Sequence, residues 1–475
     1  MRTPRIAFCS PVNPASTGIS DYSEELLPYL AQYADVTLYR ASRLKPTNPR
    51  LQQHLEVRPL RRLLRDQQRH PYDALLYHMG NSEAHAEIWS MAQRLPGVVV
   101  LHEFVLHHFM LWYAATVRGN VQHYVREMIA RYGDDGRHIA QLMIRGRFTN
   151  AAFDFPCCEP VVAAARGVIV HNHYMQQRVQ AMQPQRPTAV VRMGVPLPHP
   201  LERGAARARL GLPDSALILA SFGHINAYKR QEPTLQALAE LWQEHPDMRY
   251  ILVGSVSPHL DVAGLIERMG LTHAVQVTGY VPRDTFEAYV AASDICLNLR
   301  HPTAGETSAS LLRLLGAGRP TLVSATGSFA ELPPGTAAQV DPDASERDLI
   351  LAYCRLLAQR PALAAALGAQ ARAYVAEQHT LDGAAQGYVR FLARLYRWPA
   401  VVRVRTEPLW VPGEVPTPPP HHPPRRTAPG DRATTPPLPP PAPLVQRTAR
   451  ALAEMGITEQ DEALLRAVAQ RLAEV

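Results

Sequence analysis

The 475-residue chain has almost no lysine. Of its 49 basic side chains only Lys45 and Lys229 are lysine, and the rest are arginine. Cysteine is also scarce. Cys9, Cys157, Cys158, Cys296 and Cys354 are too few and too scattered for a disulfide framework. No CxxC pair occurs, so a structural zinc site is not expected. Long apolar runs are missing. A membrane-crossing helix needs roughly 20 apolar residues in a row. The best stretch, Val98–Val117, is interrupted by His102, Glu103, His107 and His108. The start leads straight into a strand-like run, Ile6–Cys9, rather than a leader pattern. The expectation is a cytoplasmic protein.

Apolar residues make up 46% of the chain, which excludes wholesale disorder. At roughly 100–200 residues per domain, two or three domains are expected. The net charge of +7 lies within the first 200 residues, and the remainder is balanced. Prolines number 43 and crowd between Val401 and Pro443.

Short apolar runs alternate with helical patterns. Ile6–Cys9, Val36–Tyr39, Ala74–Tyr77, Val98–Leu101, Gly167–Val170 and Ala189–Arg192 read as buried parallel strands. Ser20–Ala34 and Glu83–Leu95 read as helices between them. The pattern restarts with strands Leu217–Gly223, Tyr250–Gly254, Val275–Thr278, Asp294–Leu299 and Thr321–Ser324. Helices are expected at Glu232–His245 and Ser308–Gly316. Such alternation predicts an α/β protein with two Rossmann-like domains, residues 1–200 and 201–398. A proline-rich linker, 399–443, is expected to follow as an extended spacer. A helical segment, 444–475, closes the chain. There Thr458 and Asp461 resemble a capping box, and Leu464, Leu465, Val468 and Leu472 form one stripe. This pair of helices is expected to dock or to join two copies.

Four motifs carry chemistry. Gly18 follows the first strand and precedes a helix, where backbone amides can approach a phosphate. G-x-G-x-x-G is absent, which disfavours a dinucleotide oxidoreductase. In LHEFVLHHF, His102 stands at a strand end facing a crevice. The zincin spacing fails there, because Leu106 occupies the second histidine position. In SFGHINAYKR, Lys229 supplies a compact ammonium in a chain that otherwise uses arginine. In RHPTAGETSASLLRLLGAGRP, Gly305, Glu306, Thr307 and Ser308 form a loop at a helix N-terminus. That places a carboxylate, two hydroxyls and free amides at one crevice.

Taken in order, STGISDY, YHMGN, VVVLHEFVLHHF, VRMGVPLP, SFGHINAYKR, VTGYVP, AASDICLNLR and GETSASLLRLLGAGRP resemble a GT-B glycosyltransferase. The similarity is to the large retaining family 4-like group (glycosyltransferase group 1) that includes sucrose and mannosyl transferases, over residues 4–398. It implies transfer of a hexose, with retention, from a nucleotide-diphosphate sugar to a glycan or lipid-linked acceptor. It further implies that Lys229 contacts the donor diphosphate and that Gly18 lies beside it. His102 would position the sugar, and Glu306, Thr307 and Ser308 would face the diphosphate or sugar. Neither a further cofactor nor a metal is expected, since no DxD motif sits at a strand end.

Three positions depart from the family pattern. His224 stands where an arginine usually accompanies the lysine. Arg313 falls on the second of two glutamates, and Gly305 on the first, with Glu306 one residue later. A second reading is therefore a catalytically weak GT-B scaffold that recruits partners through its tail. RPLRRLLRDQQRH, Arg58–His70, reads as a basic amphipathic stretch suited to an anionic membrane surface. It lacks the aromatic pattern of a nucleic-acid site, so nucleic acid is not an expected partner.

Overall fold

The computed structural model describes residues 3–41, 45–147, 150–198, 201–398 and 403–412. Those outside include 413–475, so the remainder of the linker and the Thr458–Asp461 and Leu464–Leu472 features lie outside the described residues.

The first sheet is built from β1 (Arg5–Ser10), β2 (Asp35–Arg40), β3 (Glu56–Pro59), β4 (Ala74–Met79), β5 (Val98–Leu101), β6 (Gly167–Val170) and β7 (Thr188–Val190). All pairings are parallel, in the order β3-β2-β1-β4-β5-β6-β7. The second sheet comprises β8 (Ile218–Phe222), β9 (Arg249–Val253), β10 (Val275–Gly279), β11 (Ile295–Asn298), β12 (Thr321–Ser324) and β13 (Ala338–Val340). It is also parallel, in the order β10-β9-β8-β11-β12-β13. Helices cover both faces, so central strands such as β4 are buried at every residue. The expected doubly wound arrangement is present twice. β3 and β13 are additions at sheet edges; both are short, and Glu56–Pro59 holds two charges and a proline, which hide the apolar signature.

Both sheets belong to one compact unit, Met1–Ala140 with Phe148–Glu414. The chain crosses back at its end. Helix Leu381–Tyr396 packs on helix Gly18–Leu30 of the first domain. The Tyr388 and Tyr22 hydroxyls meet at 3.3 Å, and Tyr33 donates to Asp382 Oδ1 at 2.8 Å. Phe391 reaches Gly167, where any Cβ would come within 2.9 Å of its ring.

The start of the expected linker is not a free spacer. Val404 N–H donates to Gln32 O at 2.7 Å, and Arg403 bonds the Tyr33 hydroxyl. Trp410 is buried and stacks on His54 at 5.9 Å between ring centroids. Aromatic and arginine side chains give this proline-containing run enough contacts to offset its ordering entropy.

The Arg58–His70 stretch turns its leucines inward. Leu60 and Leu63 are buried within the protein, so their apolar surface is not available to a lipid phase. Arg58 pairs with Asp66 at 2.8 Å and with Glu56. Arg61, Arg62, Arg65 and Arg69 remain exposed.

Candidate active site

In open parallel sheets, ligands bind beyond the carboxyl ends of the strands. Two such ends face each other here. From the second domain, β8 leads to Lys229, β11 leads to Arg300, and the next loop carries Glu306. From the first, β1 leads to Gly18, β4 to Gly80 and Asn81, and β5 to His102 and Glu103.

Arg300 organises the second-domain half. Its guanidinium pairs with Glu306 and donates to Ser308 Oγ at 3.1 Å and Asn298 Oδ1 at 3.3 Å. Its Nε is buried without a partner. Glu306 also accepts from Thr303 Oγ1 at 3.1 Å, so its carboxylate is fixed on both oxygens. Ser308 caps helix Ala309–Gly316, accepting from Leu311 N–H at 3.2 Å. Lys229 donates from Nζ to Phe222 O at 3.2 Å. Burial, aided by Arg300, holds its ammonium well below the usual lysine range, while Glu306 acts in the opposite direction. Of the expected set, Lys229, Glu306 and Ser308 gather around Arg300, while Thr307 bonds Asn172. Arg300 was visible as the final residue of AASDICLNLR, at a strand end, but one arginine among so many carried no signal.

Gly305 has φ +83°, and a Cβ there would meet Phe104 at 3.1 Å and Met175 at 3.0 Å. The glycine therefore lets the loop close against the first domain. Ala304 O accepts from Phe104 N–H at 2.7 Å. Asn172 donates to Gly305 O at 2.9 Å and to Thr307 Oγ1 at 3.0 Å. Thr307 consequently serves a contact between domains. His224 is exposed and bonds Ser255 Oγ at 3.0 Å. Arg313 turns to the first domain, where it donates to Glu25 at 2.7 and 3.0 Å. Arg283 pairs with the same carboxylate.

On the first-domain side, Gly18 is exposed as the first residue of its helix. Gly80 permits close packing there, since a Cβ would fall 2.4 Å from Ile19 Cδ1. His102 is buried in a histidine cluster. Its Nε2 lies 2.9 Å from His78 Nδ1, and its ring is 4.8 Å from that of His171. Burial holds His78 and His102 far below the ordinary imidazole value, and lowers His85 and His171 to about 4. All four are neutral at pH 7, so His102 is a polar neutral group rather than a cation. Burial, and then the Glu306 carboxylate, push Glu103 up to about 8. Glu103 follows His102 in LHEFVLHHF, and its character emerges only where loops of the two domains face each other. His107 is structural, bonding Tyr124 OH at 2.6 Å and Phe155 O at 2.8 Å. Among the described residues, no group of three or more His, Cys, Asp or Glu is placed to hold a metal ion.

Two facing Rossmann-like domains with a cleft between their strand ends are the GT-B fold. The overall likeness extends to solved structures of that class. Sucrose-phosphate synthase from Thermosynechococcus elongatus matches with a TM-score of 0.58 at 17% identity, over 83% of this chain and 100% of that one. Anabaena HepE in complex with UDP and glucose gives 0.58 at 17% identity, over 82% and 100%. A glycosyltransferase from Rickettsia africae gives 0.59 at 12% identity, over 83% and 99%.

Residues 216–359, within the second domain, match the family model described as Glycosyl transferases group 1. Among curated relatives, 2-deoxystreptamine glucosyltransferase of Streptomyces kanamyceticus is 27% identical over 150 residues, 28% of this chain and 39% of the relative. D-inositol 3-phosphate glycosyltransferase of Streptomyces coelicolor is 30% identical over 154 residues, 30% of this chain and 33% of the relative. The aligned part thus spans about two-fifths or less of those relatives' length.

Proposed function

We propose that this protein is a retaining glycosyltransferase that moves a hexose from a nucleotide-diphosphate sugar to a glycan or lipid-linked acceptor. The observation that carries the reading is the convergence of Lys229, Arg300 and the Ser308-capped helix at one strand-end crevice. As the glycosidic bond breaks, negative charge grows on the leaving diphosphate. Arg300, Lys229 in its protonated form and a helix N-terminus stabilise that charge. Glu306, clamped by Arg300 and Thr303, is placed to hold sugar hydroxyls. A neutral His102 adds a polar contact without repelling the cationic character that develops on the sugar. No side-chain base is assigned, because the departing phosphate can take the acceptor's proton in a front-face reaction. The Anabaena complex with UDP and glucose supports a nucleotide sugar as donor. Contact with an anionic membrane would be electrostatic, through Arg61, Arg62, Arg65 and Arg69, since the neighbouring leucines are buried. Among the described residues no helix is long and apolar enough to cross a membrane.

Thermal shift with UDP, GDP and dTDP tests the reading. A rise in melting temperature with one of them, absent in Lys229→Ala, supports a donor site. No shift with any nucleotide favours the scaffold reading, in which partners are recruited and no sugar is transferred.

A further inference from the structure

A second cavity lies away from the donor crevice. It has a volume of about 330 Å³, which falls in the range of small-molecule sites. Its wall follows the groove between helices Arg283–Ala292 and Ala309–Gly316, with helix Pro361–Gln378 contributing one side. Four guanidinium groups line it: Arg283, Arg313, Arg319 and Arg372. Phe286, Val290 and Ala317 supply an apolar wall.

The charges do not balance locally. Arg283 and Arg313 share Glu25, and Arg283 also meets Glu287 at 3.0 Å. Among the described residues, Arg319 and Arg372 bond carbonyls, Ser293 O at 3.1 Å and Gly316 O at 2.8 Å. Four cations therefore face two carboxylates. Arg313 Nη1 and Arg319 Nε are buried with no partner. A buried guanidinium nitrogen left without an acceptor is costly.

We propose that this cavity is a binding site for an organic phosphate monoester with an apolar or aromatic body. The phosphate dianion matches the surplus of two charges and the fork geometry of arginine. The body lies against Phe286 and Val290. The site is separate from the donor crevice and stands whether or not the protein transfers a sugar.

Calorimetric titration of the full chain with phenyl phosphate tests it. Saturable binding at one site is expected, retained in Lys229→Ala and weakened at least tenfold in both Arg372→Gln and Ala317→Phe. The first variant removes charge and the second volume, so misfolding of one leaves the other as a test. Slower amide exchange within 361–378 on adding phenyl phosphate gives a readout in the unaltered protein. Inorganic phosphate is expected to bind more weakly, and benzyl alcohol not at all. Absent saturable binding, binding lost only in Lys229→Ala, or equal affinity for inorganic phosphate would overturn the proposal.

Discussion

Arg300 and Glu306 form an ion pair at the mouth of the second domain, with the Arg300 side chain also bonded to Ser308 and Asn298. The pair joins the loop after β11 to the cap of the following helix. It fixes the carboxylate and leaves guanidinium charge beside Lys229. His224 holds the place of the arginine that usually accompanies that lysine, yet it points to Ser255. In this account Arg300 supplies the second cation. Arg300→Ala should lower donor turnover at least a hundredfold, whereas His224→Ala should cost less than tenfold. Initial rates of both variants check this ordering.

Lys229 is held below its ordinary range in the free protein, chiefly by burial. A diphosphate next to it favours the charged form and raises its affinity for a proton. Nucleotide binding should then be accompanied by proton uptake over the pH range in which the free protein's Lys229 gives up its own proton. Calorimetry in buffers of different ionisation enthalpy measures the uptake, and Lys229→Ala should abolish it.

Acid should destabilise the fold before the carboxylates titrate. The imidazoles of His78, His85, His102 and His171 are held below their unfolded value near 6.5. For such groups the unfolded chain binds more protons, so stability falls as pH drops from about 6.5 towards 4. Glu103 has the opposite sign. Its folded value near 8 exceeds the unfolded one, so it removes stability as pH rises from about 4.5 to 8. Four histidines outweigh one glutamate on the acid side. Glu103→Gln should match the parent near pH 4.5 and exceed it by up to about 4–5 kcal/mol at pH 8, read from denaturant midpoints.

Arg313 shows how a departure from a family pattern becomes structural. It bonds Glu25 from the opposite domain, and Arg283 joins them. Arg313→Glu would restore the family's residue type but place two carboxylates together. A loss of roughly 3–5 kcal/mol is expected, as for a broken buried pair. Chemical denaturation of Arg313→Glu and of Glu25→Gln checks it, with Glu25→Gln the milder.

The architecture was legible because parallel strands buried on both faces read as apolar runs. Val98–Leu101, Gly167–Val170 and Thr321–Ser324 appear with the expected bounds. Two of the edge strands, β3 and β13, were not legible; Glu56–Pro59 has little apolar surface to bury. Lys229, Glu306, Thr307 and Ser308 stood out through residue type and position after a strand. Arg300, Glu103 and Asn172 did not, because their roles depend on which loops meet across the cleft. The docking of Arg403–Pro412 was hidden for a related reason: proline content sets chain stiffness, not whether a surface awaits it.

The central claim is that Lys229, Arg300 and Glu306 form the donor site of a sugar transferase. Its most direct test is transfer of labelled hexose from a panel of nucleotide sugars by the full chain, compared with Lys229→Ala and Glu306→Gln. Transfer is expected from at least one donor, reduced a hundredfold or more in each variant while both keep the parent's fold. Transfer at the parent's rate in both variants, or none from any donor together with no nucleotide binding, would contradict it.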